Sequence, residues 1–164
     1  MPQKMKTDCF IAMVDPELTK LAYKNGYHVV SPIIAQAIHE SGWGSSQLAE
    51  YYNYFGMKAN ERWKGDYVEM TTQEEKDGQR YTVKAKFRKY KSFKEGLQGY
   101  FVFIEIPRYD PLRIADDYEE YCDQLKICGY ATSSKYPESL KRIIEQYKLY
   151  AYDAVIGLLK DADK

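Results

Sequence analysis

Two periodicities divide the chain. Asp15-Pro16-Glu17 has the form of a helix start: an acceptor, a proline with fixed φ, and an acid in the first turn. Asn25-Gly26 has the form of its end. Ser31-Pro32 repeats the starting pattern, and Ile33 to Ile38 is then apolar almost all round, which predicts a central core helix carrying His39 and Glu40 and stopping at Gly42. A short helix is expected over Gln47 to Tyr51. The period then changes. Tyr67 to Thr72 reads as a strand, Asp77-Gly78 as a turn, and Tyr81, Val83, Ala85 and Phe87 alternate with polar residues. Helical spacing returns after the capping box Ser92-Phe93-Lys94-Glu95, with Phe93, Leu97, Tyr100, Phe101 and Ile104 on one stripe. Further helices are expected from about 115 to 127, around Leu140 to Tyr147, and from about 154 to 159. The pattern specifies an α+β chain, mostly helical, with a β-hairpin lobe at about 64–90.

Composition narrows the function. The 164 residues include 24 Lys+Arg and 24 Asp+Glu, so the net charge is zero, which disfavours a wholly basic nucleic-acid-binding surface. The neutral total is unevenly spread. Arg80 to Lys94 holds seven basic residues and no acid, and Asp110 to Asp123 holds six acids and one Arg. The basic run suits either an anionic polymer or a solvated hairpin face. No run approaches the ~18 apolar residues of a membrane span. No apolar stretch of signal-peptide length follows the basic N-terminus, so no export signal is expected in the chain as written. Three cysteines (Cys9, Cys122, Cys128) imply no disulfide framework. His28 and His39 are the two histidines, and Trp43 stands where a His-Glu-x-x-His motif would need its second His. No metal or cofactor is therefore expected. The 17 tyrosines suit half-buried core positions or a groove for polar ligands with flat faces.

Glu40 carries the candidate chemistry. It ends an apolar helix and precedes Ser41-Gly42-Trp43-Gly44. Burial and the negative end of the helix dipole both favour its protonated form, and no cation lies within the nearest turn. A carboxyl kept protonated near neutral pH suits a glycosidase general acid. Trp43 would desolvate it and offer a stacking surface, and the flanking glycines would let a ligand approach the backbone.

These residues carry a resemblance. Ser31 to Ala49, with His39-Glu40-Ser41-Gly42-Trp43-Gly44 at its centre, resembles the catalytic helix of the glucosaminidase domains of glycoside hydrolase family 73, a family of bacterial and phage peptidoglycan hydrolases. Asn53-Tyr54-Phe55-Gly56-Met57-Lys58, Phe87-Arg88-Lys89-Tyr90-Lys91-Ser92 and Gly129-Tyr130-Ala131-Thr132 resemble three further family segments, in family order. Tyr52 departs from the Asn usual at that place. The resemblance covers about residues 28–153. It implies a lysozyme-like fold that hydrolyses the β-1,4 bond between N-acetylglucosamine and N-acetylmuramic acid, with Glu40 as general acid. It implies that Tyr130 lines the cleft near the scissile sugar. A second carboxylate is expected in the β-lobe within Thr72-Gln73-Glu74, with Glu75 and Glu69 as rivals to Glu74. Carboxyl separations of ~6.5–9.5 Å would suit inversion and ~5–5.5 Å a covalent retaining path, while the substrate's own acetamide offers a third route. Trp43, Tyr51, Asn53, Tyr54 and Tyr136 lie in or beside the family segments and are expected to contact glycan. Tyr81, Tyr100 and Tyr147 are expected in the core.

The expected organisation is an N-terminal extension with a helix (1–27), a catalytic domain (28–153) and a tail helix (154–164). The expected partner is the peptidoglycan glycan strand, met by a monomer outside the cell or in the wall, as a domain of a longer exported or phage protein. Competing readings are a lytic transglycosylase or muramidase of similar fold and a non-catalytic glycan-binding module. A wall cysteine peptidase would need a Cys–His pair, and no cysteine sits in a nucleophile context.

Overall fold

The computed structural model describes residues 3–164. Helix α1 (Gln3–Lys24) and α2 (Ser31–Ser41) precede a 3₁₀ turn at Gln47–Tyr51. The hairpin β1 (Tyr67–Lys76) and β2 (Gln79–Arg88) follows, then α3 (Phe93–Phe103), α4 (Asp110–Ile114), α5 (Tyr118–Ile127), α6 (Tyr136–Gln146) and α7 (Tyr150–Ala162).

Helix α2 is the axis of the helical lobe. Every residue from Ser31 to Ile38 is buried, and α1, α5, α6 and α7 pack around it. Each fully buried Ile of its body contributes about 1.5–3 kcal/mol. Its start differs from the expected local cap. Val30 occupies the cap position, and the acceptor comes from α7: Asp153 Oδ1 accepts from the Val30 and Ser31 amides at 2.7 and 2.8 Å, and Oδ2 from the Ser31 hydroxyl at 2.6 Å. The C-terminal helix thus satisfies orphan donors of the central helix across more than a hundred residues of chain.

Three other expectations shift. Asp15-Pro16 does not start a helix, because α1 runs through Pro16. Asp15 instead accepts from the Thr19 hydroxyl one turn on, at 2.7 Å. The helix expected at 115–127 begins later, as α5 at Tyr118, and the short α4 is a separate element ahead of it. Asp117 caps α5 by accepting from the Glu120 amide at 2.8 Å. The tail helix is longer than 154–159 and packs on α1 and α2. Ser92 caps α3 as read, its Oγ accepting from the Glu95 amide, while the return bond is shifted by one residue, with Glu95 Oε2 accepting from the Lys91 amide.

The hairpin is a two-stranded antiparallel sheet turned at Asp77-Gly78, both with positive φ, as a two-residue turn of right twist requires. Its register pairs Glu69 with Lys86 and Glu75 with Arg80 on the exposed face. The basic run is therefore partly neutralised by cross-strand acids. Tyr81 is 48% exposed rather than core, because the hairpin tip has no layer above it, whereas Tyr100 is fully buried and Tyr147 half-buried.

The hairpin is fixed at its base. Buried Asn53 donates from Nδ2 to the Met57 and Arg88 carbonyls at 3.0 and 2.9 Å, and its Oδ1 accepts from the Met57 amide at 2.9 Å. Arg88 in turn donates from Nε to the Lys58 carbonyl at 2.9 Å and lies over the Trp63 ring. One side chain therefore ties the loop after the 3₁₀ turn to the end of β2.

Candidate active site

A cleft of about 560 Å³ runs between the helical lobe and the hairpin. One wall carries Glu40 at the end of α2, Tyr130 from the α5–α6 loop, and Tyr136 at the start of α6. The opposite wall carries Thr72, Gln73 and Glu74 of β1, with Lys58 beside them. Phe55 and Phe103 line it as well.

Burial pushes the Glu40 carboxyl up to about 7, against a smaller lowering from the hydrogen bond that Tyr136 offers it. Its backbone surroundings are close. Gly56, at φ 62°, lies so near that a Cβ there would stand 3.3 Å from Glu40 Oε2. Tyr130 has a buried hydroxyl with no hydrogen-bond partner, and its ring stacks on Tyr136 at 6.3 Å. His39 lies on the rim beside Glu40 with part of its surface in solvent; its ring meets Tyr136 edge-on at 5.5 Å, and partial desolvation there lowers its pKa.

Strand parity selects among the hairpin acids. Val68, Met70, Thr72 and Glu74 share the half-buried face of β1, and of the hairpin acids Glu74 lines the cleft, beside Thr72 and Gln73, while Glu69 and Glu75 stand on the exposed face outside its lining. Glu74 forms an ion pair with Lys58. That pair crosses from β1 to the loop ahead of the hairpin.

Glu40, Glu74, Tyr130 and Tyr136 thus share one cleft. The other four expected site residues do not line it. Asn53 is spent on the hairpin base, as described. Tyr54 is buried between Phe10 and Phe93 at 5.9 and 6.0 Å. Tyr51 lies under the Lys89 ammonium at 4.8 Å. Trp43 turns away from Glu40 because its own φ is 62°, and its ring packs edge-on against Tyr147 at 4.8 Å. The aromatic residues that share the cleft with Glu40 are instead Phe55, Phe103, Tyr130 and Tyr136. Gly44 serves packing rather than ligand approach: a Cβ there would meet the Phe10 ring at 2.9 Å. Trp43 and Tyr54 do line a separate shallow groove with Phe10 and Met13 of α1.

Sequence reading missed His39 and Phe103 as cleft residues. Adjacency to Glu40 could have flagged His39. Nothing local marks Phe103, whose place depends on where α3 ends. Among the described residues no group of three His, Cys, Asp or Glu side chains is placed to hold a metal ion, and no helix is long and apolar enough to cross a membrane.

Comparisons with known proteins agree with this architecture. Residues 16–149 match the Glucosaminidase family, described as mannosyl-glycoprotein endo-beta-N-acetylglucosaminidase. The exo-glucosaminidase LytG of Bacillus subtilis is 41% identical over 145 residues, covering 84% of this chain and 51% of that protein. The peptidoglycan hydrolase FlgJ of Escherichia coli K12 is 41% identical over 122 residues, covering 71% of this chain and 39% of that protein. The chain therefore spans about half or less of the length of these relatives. A crystal structure of a peptidoglycan hydrolase mutant from Sphingomonas sp. A1 superposes with a TM-score of 0.78 at 32% identity, covering 88% of this chain and 96% of that one. The chain belongs to the glucosaminidase family, with the lysozyme-like fold of its peptidoglycan-hydrolase neighbours.

Proposed function

We propose that this member of the glucosaminidase family is a peptidoglycan hydrolase, an endo-β-N-acetylglucosaminidase that cleaves the β-1,4 bond between N-acetylglucosamine and N-acetylmuramic acid. The carrying observation is a carboxyl raised to about 7 on one wall of a cleft whose other wall presents a second carboxylate. Glu40 is protonated over the lower half of the neutral range and donates its proton to the glycosidic oxygen as the bond breaks. Glu74, held by Lys58, activates the attacking water or steadies the charge that develops on the sugar ring. The partnerless Tyr130 hydroxyl is left for the substrate acetamide or for that water, since an unmet buried hydroxyl gains most from a new partner.

The glycan strand is the partner this cleft suits. It lies between the helical lobe and the hairpin, and its aromatic rings offer faces for sugar C–H groups. Such a substrate places the activity at the cell wall. A cysteine-based reaction is disfavoured at Cys122, where burial pushes the thiol up to about 12.

Digestion of purified peptidoglycan followed by mass spectrometry of the fragments tests the reading. Reducing-end N-acetylglucosamine is expected, and anhydro-muramic ends would mean a lytic transglycosylase instead. Fragment sizes report the mode of attack: internal cuts give a broad early distribution, and end-on attack releases disaccharides from the start. Wall binding with no new reducing ends would make the chain a binding module.

A further inference from the structure

We propose that a second cavity, separated from the catalytic cleft by Arg88, binds the short carboxylate-bearing peptide that peptidoglycan carries on its muramic acid residues. This rests on the reading of the chain as a peptidoglycan hydrolase and adds a recognition site to it.

The cavity holds about 450 Å³, within the range of about 300–1,000 Å³ usual for small-ligand sites. Arg62 and Trp63 reach it from the loop ahead of β1, Arg88 and Tyr90 from the end of β2 and the residues after it. Glu95, Gln98, Gly99 and Val102 follow at helical spacing, so one face of α3 forms the remaining wall. The Trp63 indole donates to the Asp66 carbonyl at 2.8 Å and meets the Tyr90 ring edge-on at 5.3 Å. Gly65 lets the loop close on that indole, since a Cβ there would stand 2.6 Å from it. Gly99 makes room for the Tyr90 hydroxyl, which a Cβ would meet at 2.5 Å. Val102 leaves an apolar side chain 62% exposed on the same wall.

Charge in this cavity is unbalanced. Arg88 is only 6% exposed, and a cation so buried ordinarily has an acid partner. Here its Nε donates to the Lys58 carbonyl at 2.9 Å and its Nη2 to Asn60 Oδ1 at 3.1 Å, both neutral acceptors. The Tyr90 hydroxyl beside it stays uncharged, because burial raises its pKa. Arg62 adds a second, exposed guanidinium. Among the described residues neither arginine forms an ion pair with a carboxylate. The one acid on the wall, Glu95, turns an oxygen to the Lys91 amide at 3.0 Å. Two cations and one acid thus adjoin the apolar surfaces of Trp63 and Val102. A carboxylate suits the guanidiniums, methyl and methylene groups suit the apolar surfaces, and an amine suits Glu95. A short acidic peptide that includes a diamino acid meets all three demands, whereas a neutral sugar meets only the second.

Position links the cavity to the cleft. The Arg88 guanidinium lies over the Trp63 ring at 4.9 Å and over the Phe103 ring at 5.4 Å. Trp63 lines the cavity and Phe103 the cleft, so one side chain separates the two. The rings are therefore no more than about 10 Å apart, a span that about three extended residues cover. A glycan strand in the cleft has the chain length in its peptide branch to enter the cavity.

Nitrogen-15 NMR tests this without catalysis, because the indoles of Trp63 and Trp43 line different grooves and Trp43→Phe assigns them. Titration with the tripeptide L-Ala–γ-D-Glu–L-Lys should shift the Trp63 indole saturably, with a Kd of about 1 mM, and leave the Trp43 indole in place. The same peptide with both carboxyls amidated should bind about tenfold more weakly. Arg62 is exposed, so Arg62→Gln should keep the fold and weaken tripeptide binding about fivefold. An unmoved Trp63 or equal binding of the amidated peptide would overturn the proposal. A stronger response to polyglycerol phosphate than to the tripeptide would overturn it in favour of an anionic wall polymer. In digestion, Arg62→Gln should lower kcat/KM about three- to fivefold on peptide-bearing strands, mainly through KM, and less than about twofold on strands stripped of peptide by an amidase. Equal losses on both substrates would refute the peptide as ligand. A wild type that binds the tripeptide but releases no reducing ends refutes the proposed function and supports the cavity's ligand. One that cleaves strands without a Trp63 shift refutes the cavity's ligand alone.

Discussion

The two walls of the cleft are built on opposite principles. The helical wall presents Glu40 from the end of a helix buried on every side, capped by Asp153 from α7 and braced by the Gln36–Tyr136 hydrogen bond. The hairpin wall presents Glu74 from a two-stranded ribbon whose main contacts are within itself, fixed at its base by Asn53 and Arg88. One wall keeps a proton on a carboxyl by removing water. The other keeps a carboxylate beside a cation near solvent, on an element able to move. A single environment could not do both, since burial that raises one carboxyl would raise the other. Separating them onto two lobes resolves the conflict and leaves an opening for a polymer between them.

The difference can be broken from either side. Replacing the buried acid has the largest effect: Glu40→Gln should lower reducing-end release by about 10²–10⁴-fold with an unchanged circular dichroism spectrum. Glu74→Gln should cost about 10²-fold in the same assay. A loss below about threefold would mean that the substrate acetamide, not Glu74, supplies the second group. Asn53→Ala removes three buried hydrogen bonds at the hairpin base and should lower unfolding free energy by about 2–4 kcal/mol in urea titration, with activity falling as the wall loosens.

Protons sharpen the same contrast. Glu40 stands at about 7 in the folded chain and near its ordinary value of 4.5 when unfolded. Between those values the folded state binds more protons, so stability contributed by this group is present at low pH and is lost as pH rises through about 7. At pH 8, Glu40→Gln should therefore be more stable than wild type by about 1–3 kcal/mol, and the difference should vanish near pH 4.5. Activity should fall as pH rises through about 7, because the acid unloads. The smallest effect is at the hairpin tip. Gly78 has φ of 77° and open space where a Cβ would go, so Gly78→Ala should cost only about 1 kcal/mol of backbone strain. Hydrogen exchange should show it as faster opening of the strand amides near the turn, with little change in global stability.

Much of this was legible in the residues. The apolar run before Glu40, the Ser92 capping box and the Asp77-Gly78 turn are local signals. Each acts between groups a few residues apart, so each survives in the sequence without knowledge of the fold. The alternation in β2 was equally plain, though it did not say which face would meet the helical lobe. Trp43 shows the limit. Its neighbour Glu40 lies in the cleft, yet one positive φ sends the indole elsewhere.

The chain's sequence alone marked the candidate acid, the helix that carries it and the existence of a hairpin lobe. Tertiary structure decided the rest: that Glu74 rather than Glu75 or Glu69 faces the cleft, that Asn53 holds the hairpin, that α2 is capped from α7, and that Gln36, Tyr100, Tyr121 and Tyr136 meet. Those contacts join residues 21 to 123 positions apart or depend on which sheet face is covered. Hydrogen bonds have steep distance and angle requirements, and only the packed core brings such distant groups within them.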